Sequence, residues 1–148
     1  MVRNFDQTAS QLKPVQLPDG TERFSLMRRT LTPIASNRAA SLWSLPGDLR
    51  LVEFHSKANA LTGESMAIVR QAAEDHGTGI LIHNDAQHFS AGVDLNRFAD
   101  FIAREAWGEM DAFLNDFQRA VAALKYCPVP VVGAPSGLSL GGGFEVLL

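Results

Sequence analysis

Residues 128–145 read Pro-Val-Pro-Val-Val-Gly-Ala-Pro-Ser-Gly-Leu-Ser-Leu-Gly-Gly-Gly-Phe-Glu, three residues before the last one of the sequence. A β-branched apolar run enters a glycine-rich bend, and the bend opens into what reads as the first turn of a helix, with Glu145 in that turn. A strand leading through such a bend into a helix constrains the fold more than any other feature of the sequence. It demands a sheet buried under helices, with its loops at the carboxyl edge of the strands, where ligands of open α/β sheets sit. Backbone N–H groups at a helix start have no intrahelical partner and carry partial positive charge, so they can hold an oxyanion. Three adjacent glycines cost chain entropy and let a substrate oxygen approach without meeting a Cβ. As a plain structural alternative, the same run is a turn whose glutamate suits the helix dipole.

The rest of the pattern agrees with an alternating α/β chain. Leu42–Leu45 and Leu49–Phe54 read as strands around the turn Pro46-Gly47-Asp48. Thr62–Asp75 reads as a helix with Met66, Ile68, Val69 and Ala72 or Ala73 on one side, ended by Gly77 and Gly79. Ile80–His83 is a buried-strand pattern, and Val93–Ile102 is helical. Glu105–Leu124 is the longest helix, with a core stripe of Trp107, Met110, Phe113, Leu114, Phe117, Ala120, Val121 and Leu124. Pro128–Val132 is the next strand. Such alternation implies right-handed crossovers between parallel strands.

The chain has 148 residues, one domain by length, and its 46% apolar content supports a real core. Its net charge of −3 argues against a nucleic-acid partner held through phosphates. Residues 1–40 are polar and irregular and carry a net +3, with six Lys/Arg against Asp6, Asp19 and Glu22. They read as a solvated arm or linker, with the domain proper at 41–148. Cys127 is the single cysteine, so no internal disulfide forms, and a reducing compartment fits. No apolar stretch reaches the length of a membrane span, and the N-terminus lacks a signal-peptide layout. A cytoplasmic location is the expectation, with no membrane partner.

A second loop, Phe89-Ser90-Ala91-Gly92-Val93-Asp94-Leu95, also leaves a strand and leads into a helix. Both loops follow parallel-strand candidates, so both are expected at one edge of the sheet, where a donor from each can converge on one oxygen. Three other chemistries fit less well. Gly137-Leu138-Ser139-Leu140-Gly141 matches the serine-nucleophile elbow, but no Asp or His follows Ser139. A phosphate loop needs Gly-Lys-Ser/Thr where this sequence has Gly-Phe. His83, Asp85 and His88 have metal-compatible spacing, against the plainer reading of an ordinary polar loop.

The segments His88-Phe89-Ser90-Ala91-Gly92-Val93-Asp94-Leu95 and Gly137-Leu138-Ser139-Leu140-Gly141-Gly142-Gly143-Phe144-Glu145 resemble the two signature loops of the crotonase (enoyl-CoA hydratase/isomerase) superfamily. The resemblance runs from about Leu42 onward and includes Leu51-Val52-Glu53-Phe54 and Asn59-Ala60-Leu61. Met27-Arg28-Arg29-Thr30, Ala39-Ala40-Ser41-Leu42-Trp43 and Glu53-Phe54-His55-Ser56-Lys57 look most like the crotonase part of bacterial 3-hydroxyacyl-CoA dehydrogenase/enoyl-CoA hydratase fusions. The resemblance implies the N-terminal part of a ββα spiral. It implies oxyanion donors at the N–H groups of Val93 and Gly142, and an acid/base at Glu145. Lys57, Ala58, Ala91 and Asp94 would lie near the coenzyme A moiety of the substrate. His55-Ser56-Lys57-Ala58-Asn59 departs from the family's usual Arg-Pro-Lys-x-x-Asn, lacking Arg-Pro and one residue after the lysine.

The implied reaction is hydration of a 2-enoyl-CoA in fatty acid β-oxidation, with no metal or other cofactor required and a trimeric or hexameric assembly. Isomerases, hydrolases and decarboxylases of the superfamily share the same loops. The family's hydratases carry a second glutamate about 20 residues after the first, which would lie beyond Leu148. An incomplete domain is therefore expected, exposing apolar surface and prone to associate. An inactive remnant that binds CoA or packs against other subunits is the non-catalytic alternative.

Overall fold

In the computed structural model the structure describes residues 23–148. Of the arm expected over residues 1–40, residues 1–22 lie outside the described residues. From Phe24 onward the chain belongs to the folded body: a short helix α1 (Phe24–Met27) and an edge strand β1 (Ala35–Ser36) precede the first expected strand. A boundary at residue 40 therefore coincides with no break in structure.

Five strands form one sheet in the order β1-β2-β3-β4-β5. β2 (Ala40–Leu45) and β3 (Leu49–Phe54) are the expected hairpin, antiparallel and in register from Ala40 opposite Phe54 to Leu45 opposite Leu49. Gly47 and Asp48 both take positive φ to turn the chain. β4 (Gly79–His83) then lies parallel to β3, and β5 (Val131–Ala134) parallel to β4. β5 starts three residues later than the sequence suggests. Pro128 and Pro130 have no N–H to give a ladder, so pairing is confined to Val131 onward, with the Pro130 carbonyl still accepting from Ile80.

Side chains alternate across the sheet and define two layers. Leu42, Val52 and Ile82 share one row and pack under α2 (Gly63–Glu74) and α4 (Trp107–Lys125) in the main core with Met66, Val69, Phe117 and Leu124. Trp43, Leu51 and Leu81 form the opposite row, covered by Phe24, whose ring meets Trp43 edge-on at 5.5 Å. Glu53 is buried on this second face, where its carboxylate takes 2.6 Å and 3.1 Å bonds from Arg28 and the Trp43 indole.

α2 begins with a reciprocal capping box: the Ser65 N–H donates to Thr62 Oγ1 and the Thr62 N–H to Ser65 Oγ. It ends at Glu74, and Gly79, expected as part of the stop, is instead the first residue of β4. α3 (Leu95–Ala103) starts two residues later than expected, because Val93 bridges to Leu61 and Asp94 caps the helix from outside it. Two members of the expected α4 stripe are exposed: Trp107 is 58% exposed and Leu114 40%. α4 has 19 residues against 12 in α2, about 28 Å against 18 Å, so its first turns overrun the helix that covers the rest. There α3 takes over, through a cluster of Phe98, Phe101 and Phe113.

Candidate active site

Three chain segments gather at the carboxyl ends of β3, β4 and β5. The first is the tight turn Lys57–Asn59, where Ala58 and Asn59 both adopt left-handed φ values. The second is the loop 88–94, and the third the loop 135–141 leading to α5 (Gly142–Glu145). They are tied as one unit. The Ala91 N–H donates to the Ala58 carbonyl and the Leu140 N–H to the Ser90 carbonyl. Ser90 Oγ is buried, donates to the Asn59 carbonyl at 2.7 Å and accepts from the Gly92 N–H at 3.0 Å. Asn59 reaches back to the His88 carbonyl.

Beneath them Asn84, 2% exposed, accepts from the Phe54 N–H and donates to the Phe89 carbonyl, each at 2.7 Å. Asn84 is thus the splice between β3 and the second loop. Sequence reasoning did not single it out. Its only signal is an amide directly after a buried strand.

The glycines answer to packing between the loops. A Cβ on Gly92, at φ +89°, would stand 2.6 Å from the Leu140 carbonyl oxygen and 3.5 Å from the Gly142 nitrogen. A Cβ on Gly142 would stand 2.7 Å from Val93 Cγ2, and one on Gly143 2.6 Å from Ser90 Cβ. The expected purpose, room for a substrate oxygen, therefore has a partner cause: the two loops touch where these Cβ atoms would be.

Val93 and Gly142 are thereby adjacent, and both line one cleft of about 340 Å³ with Leu95 and Phe98. Among the described residues no acceptor takes the N–H of either, although Gly92, Asp94 and Gly143 on either side are all bonded. Two unengaged amides at one cleft, one of them the first N–H of a helix, make a site that favours negative charge.

Glu145 is one turn further along α5, exposed, and opens on a neighbouring cleft of about 270 Å³ shared with Phe117, Gln118 and Lys125. Ala58 and Ala91 line a third cleft, about 330 Å³, with His88, Leu138 and Leu140. Lys57 is exposed and lines none of these clefts. Asp94 spends its carboxylate on the Asn96 N–H as the α3 cap.

The rival chemistries lose their geometry. Ser139 Oγ is buried without a hydrogen-bond partner, so no base stands beside it. His83 is held by the Ala134 carbonyl and Asp85, and His88 Nδ1 accepts from the Leu138 N–H. Among the described residues no group of three His, Cys, Asp or Glu side chains could hold a metal ion.

No family model matches the sequence. The chain is 34% identical over 125 residues to a probable 3-hydroxyacyl-CoA dehydrogenase of Bacillus subtilis, covering 82% of this chain and 16% of that protein. It is 34% identical over 95 residues to a probable enoyl-CoA hydratase of Mycobacterium tuberculosis, 61% of this chain and 35% of the relative. A solved enoyl-CoA hydratase from Polaromonas superposes with a TM-score of 0.66 at 22% identity, over 73% of this chain and 44% of that one. The chain has the crotonase fold.

The solved structure, at its low identity, speaks for the crotonase fold alone, and the β-β-α path from β2 through α2 is the first turn of that spiral. The chain spans between about a sixth and less than half of the length of these crotonase-fold and dehydrogenase relatives. A dehydrogenase among its relatives is what the resemblance to the fused subgroup leads one to expect. Among the described residues no helix is long and apolar enough to cross a membrane.

Proposed function

We propose that this chain binds a coenzyme A thioester and serves hydration of a 2-enoyl-CoA to a 3-hydroxyacyl-CoA. The observation that carries the proposal is the pair of unengaged amides, Val93 and Gly142, at one cleft. As water attacks C3 of the enoyl group, the electron pair shifts through C2 onto the thioester oxygen. Two preorganised N–H donors at that oxygen are each worth roughly 3–4 kcal/mol of transition-state stabilisation. Glu145 takes the proton of the attacking water and passes it to C2, which completes the addition and restores the carboxylate. A positioned carboxylate of this kind contributes about 10²–10⁴-fold. The cleft of Ala58 and Ala91, joined to the oxyanion loop through Ala91, supports its assignment to the coenzyme A moiety. Lys57 and Asp94 are proposed only as its outer neighbours. This chemistry calls on no metal or prosthetic group.

A second reading has its own observation. Glu145 opens on a cleft distinct from that of the two amides. A module that binds acyl-CoA, or packs in a trimeric or hexameric assembly, without turnover accommodates that separation. Incubation with crotonyl-CoA, following loss of the conjugated enoyl thioester absorbance, separates the two. Hydration predicts turnover that falls at least 100-fold in Glu145→Gln. Equal rates in both proteins reject Glu145 as acid/base, and binding without turnover selects the non-catalytic module.

A further inference from the structure

One wall of the cleft of the two amides comes from a helix rather than from loop backbone. Leu95 and Phe98, both on α3, complete its lining. The two differ in how they are held. Leu95 is the first residue of its helix and is 77% exposed. Phe98 is pinned from two sides, edge-on against Phe113 at 5.6 Å between centroids and against Phe101 at 6.3 Å.

Those neighbours are themselves fixed. Phe101 is 1% exposed and stacks under the guanidinium groups of Arg97 and Arg104, at 5.4 Å and 6.0 Å. Arg104 is in turn tied to Asp100 and Glu109 by four hydrogen bonds of 2.9–3.1 Å. A ring in a T-shaped cluster with a buried partner cannot leave without giving up both contacts. Every other residue lining the cleft is glycine, alanine, valine or the exposed Leu95.

We infer that Phe98 is the specificity-determining residue of this cleft, a fixed aromatic stop that limits the length of acyl chain the site accepts. The inference rests on the acyl-CoA reading above, since the acyl chain leaves the same carbonyl carbon whose oxygen the two amides hold. Each methylene that finds apolar surface tightens binding about fourfold, the factor given by roughly 0.8 kcal/mol per buried CH₂. That gain ends where the chain meets the ring.

The test is calorimetric titration of the chain with saturated acyl-CoAs from acetyl to decanoyl, with Phe98→Ala and Leu95→Ala alongside. The wild type shows affinity rising with chain length and then levelling or falling at a break. Phe98→Ala moves that break by at least two carbons, with about a tenfold gain for the first chain beyond the original limit. Leu95→Ala leaves it in place. Phe98→Leu, which keeps an apolar side chain in the aromatic cluster, moves the break the same way and serves if the alanine variant does not fold.

An unchanged break in the Phe98 variants, an equal move in Leu95→Ala, or no break in the wild type overturns the stop while leaving the acyl-CoA reading intact. Failure of every acyl-CoA and of coenzyme A itself to bind any variant overturns that reading, and the stop with it.

Discussion

At the residue scale the site depends on groups that are absent as much as on groups that are present. Gly92→Ala places a methyl 2.6 Å from a backbone oxygen at a positive φ, whereas Gly142→Ala meets side-chain atoms, Val93 Cγ2 and Phe117 Cζ. Both variants unfold at lower urea than the wild type. Gly142→Ala loses about 1–3 kcal/mol by overpacking, and Gly92→Ala loses more, because backbone cannot rotate aside. A larger loss for Gly142→Ala contradicts the packing described. Asn84→Ala strands a buried N–H and a buried carbonyl and costs about 2 kcal/mol or more. The paired glycines were legible in the sequence, because few other roles require that residue type after a buried strand. Asn84 was not: one amide in a polar loop carries no period and no spacing, and its two partners lie 30 residues back and 5 residues on.

At the element scale the strands and helices follow hydrophobic period, and their ends follow local chemistry that the period does not report. Thr62, reciprocally bonded to Ser65, fixes the start of α2, and Thr62→Ala lowers stability by about 0.5–2 kcal/mol in thermal or urea unfolding. A variant of wild-type stability contradicts the capping box.

Two carboxylates tie elements together and set an acid limit. The hydrogen bond from Arg50 holds Asp75 below its ordinary 3.8, despite some desolvation. Burial pushes Asp85 up, but the backbone N–H and hydroxyl of Ser25 in α1, with His83, outweigh it and leave Asp85 below 3.8 as well. Folded-state values below the unfolded one mean that the stabilisation is complete above about pH 4 and is lost as pH falls through the lower folded values. Asp85→Asn therefore flattens the acid limb of a stability–pH profile below pH 4 and leaves its shape at neutral pH unchanged. An unaltered acid limb contradicts the Ser25–Asp85 link. The α1 contact was illegible in the sequence, because a four-residue helix between polar segments has too few turns to express a periodic pattern.

At the scale of the whole molecule, alternating patterns gave the parallel sheet of β3, β4 and β5 beside a hairpin, because parallel strands need helical crossovers. What patterns could not give is which face lacks cover. Val132 continues the row of Trp43, Leu51 and Leu81 yet is 55% exposed, and β5 ends the sheet with an unpaired edge among the described strands. A further cleft of about 260 Å³ lies against Ile82, Leu124, Val131 and Leu147. Apolar surface and an open edge of this kind favour association. Sedimentation is expected to give a mass that rises with concentration, and a monomer throughout the micromolar range contradicts it. The central claim, that the Val93 and Gly142 amides share one thioester oxygen, is tested most directly by amide NMR during titration with butyryl-CoA. Those two N–H resonances move downfield together with a common midpoint, and their exchange with solvent slows. Saturation of the protein with both resonances unmoved, or with only one of them responding, contradicts the claim.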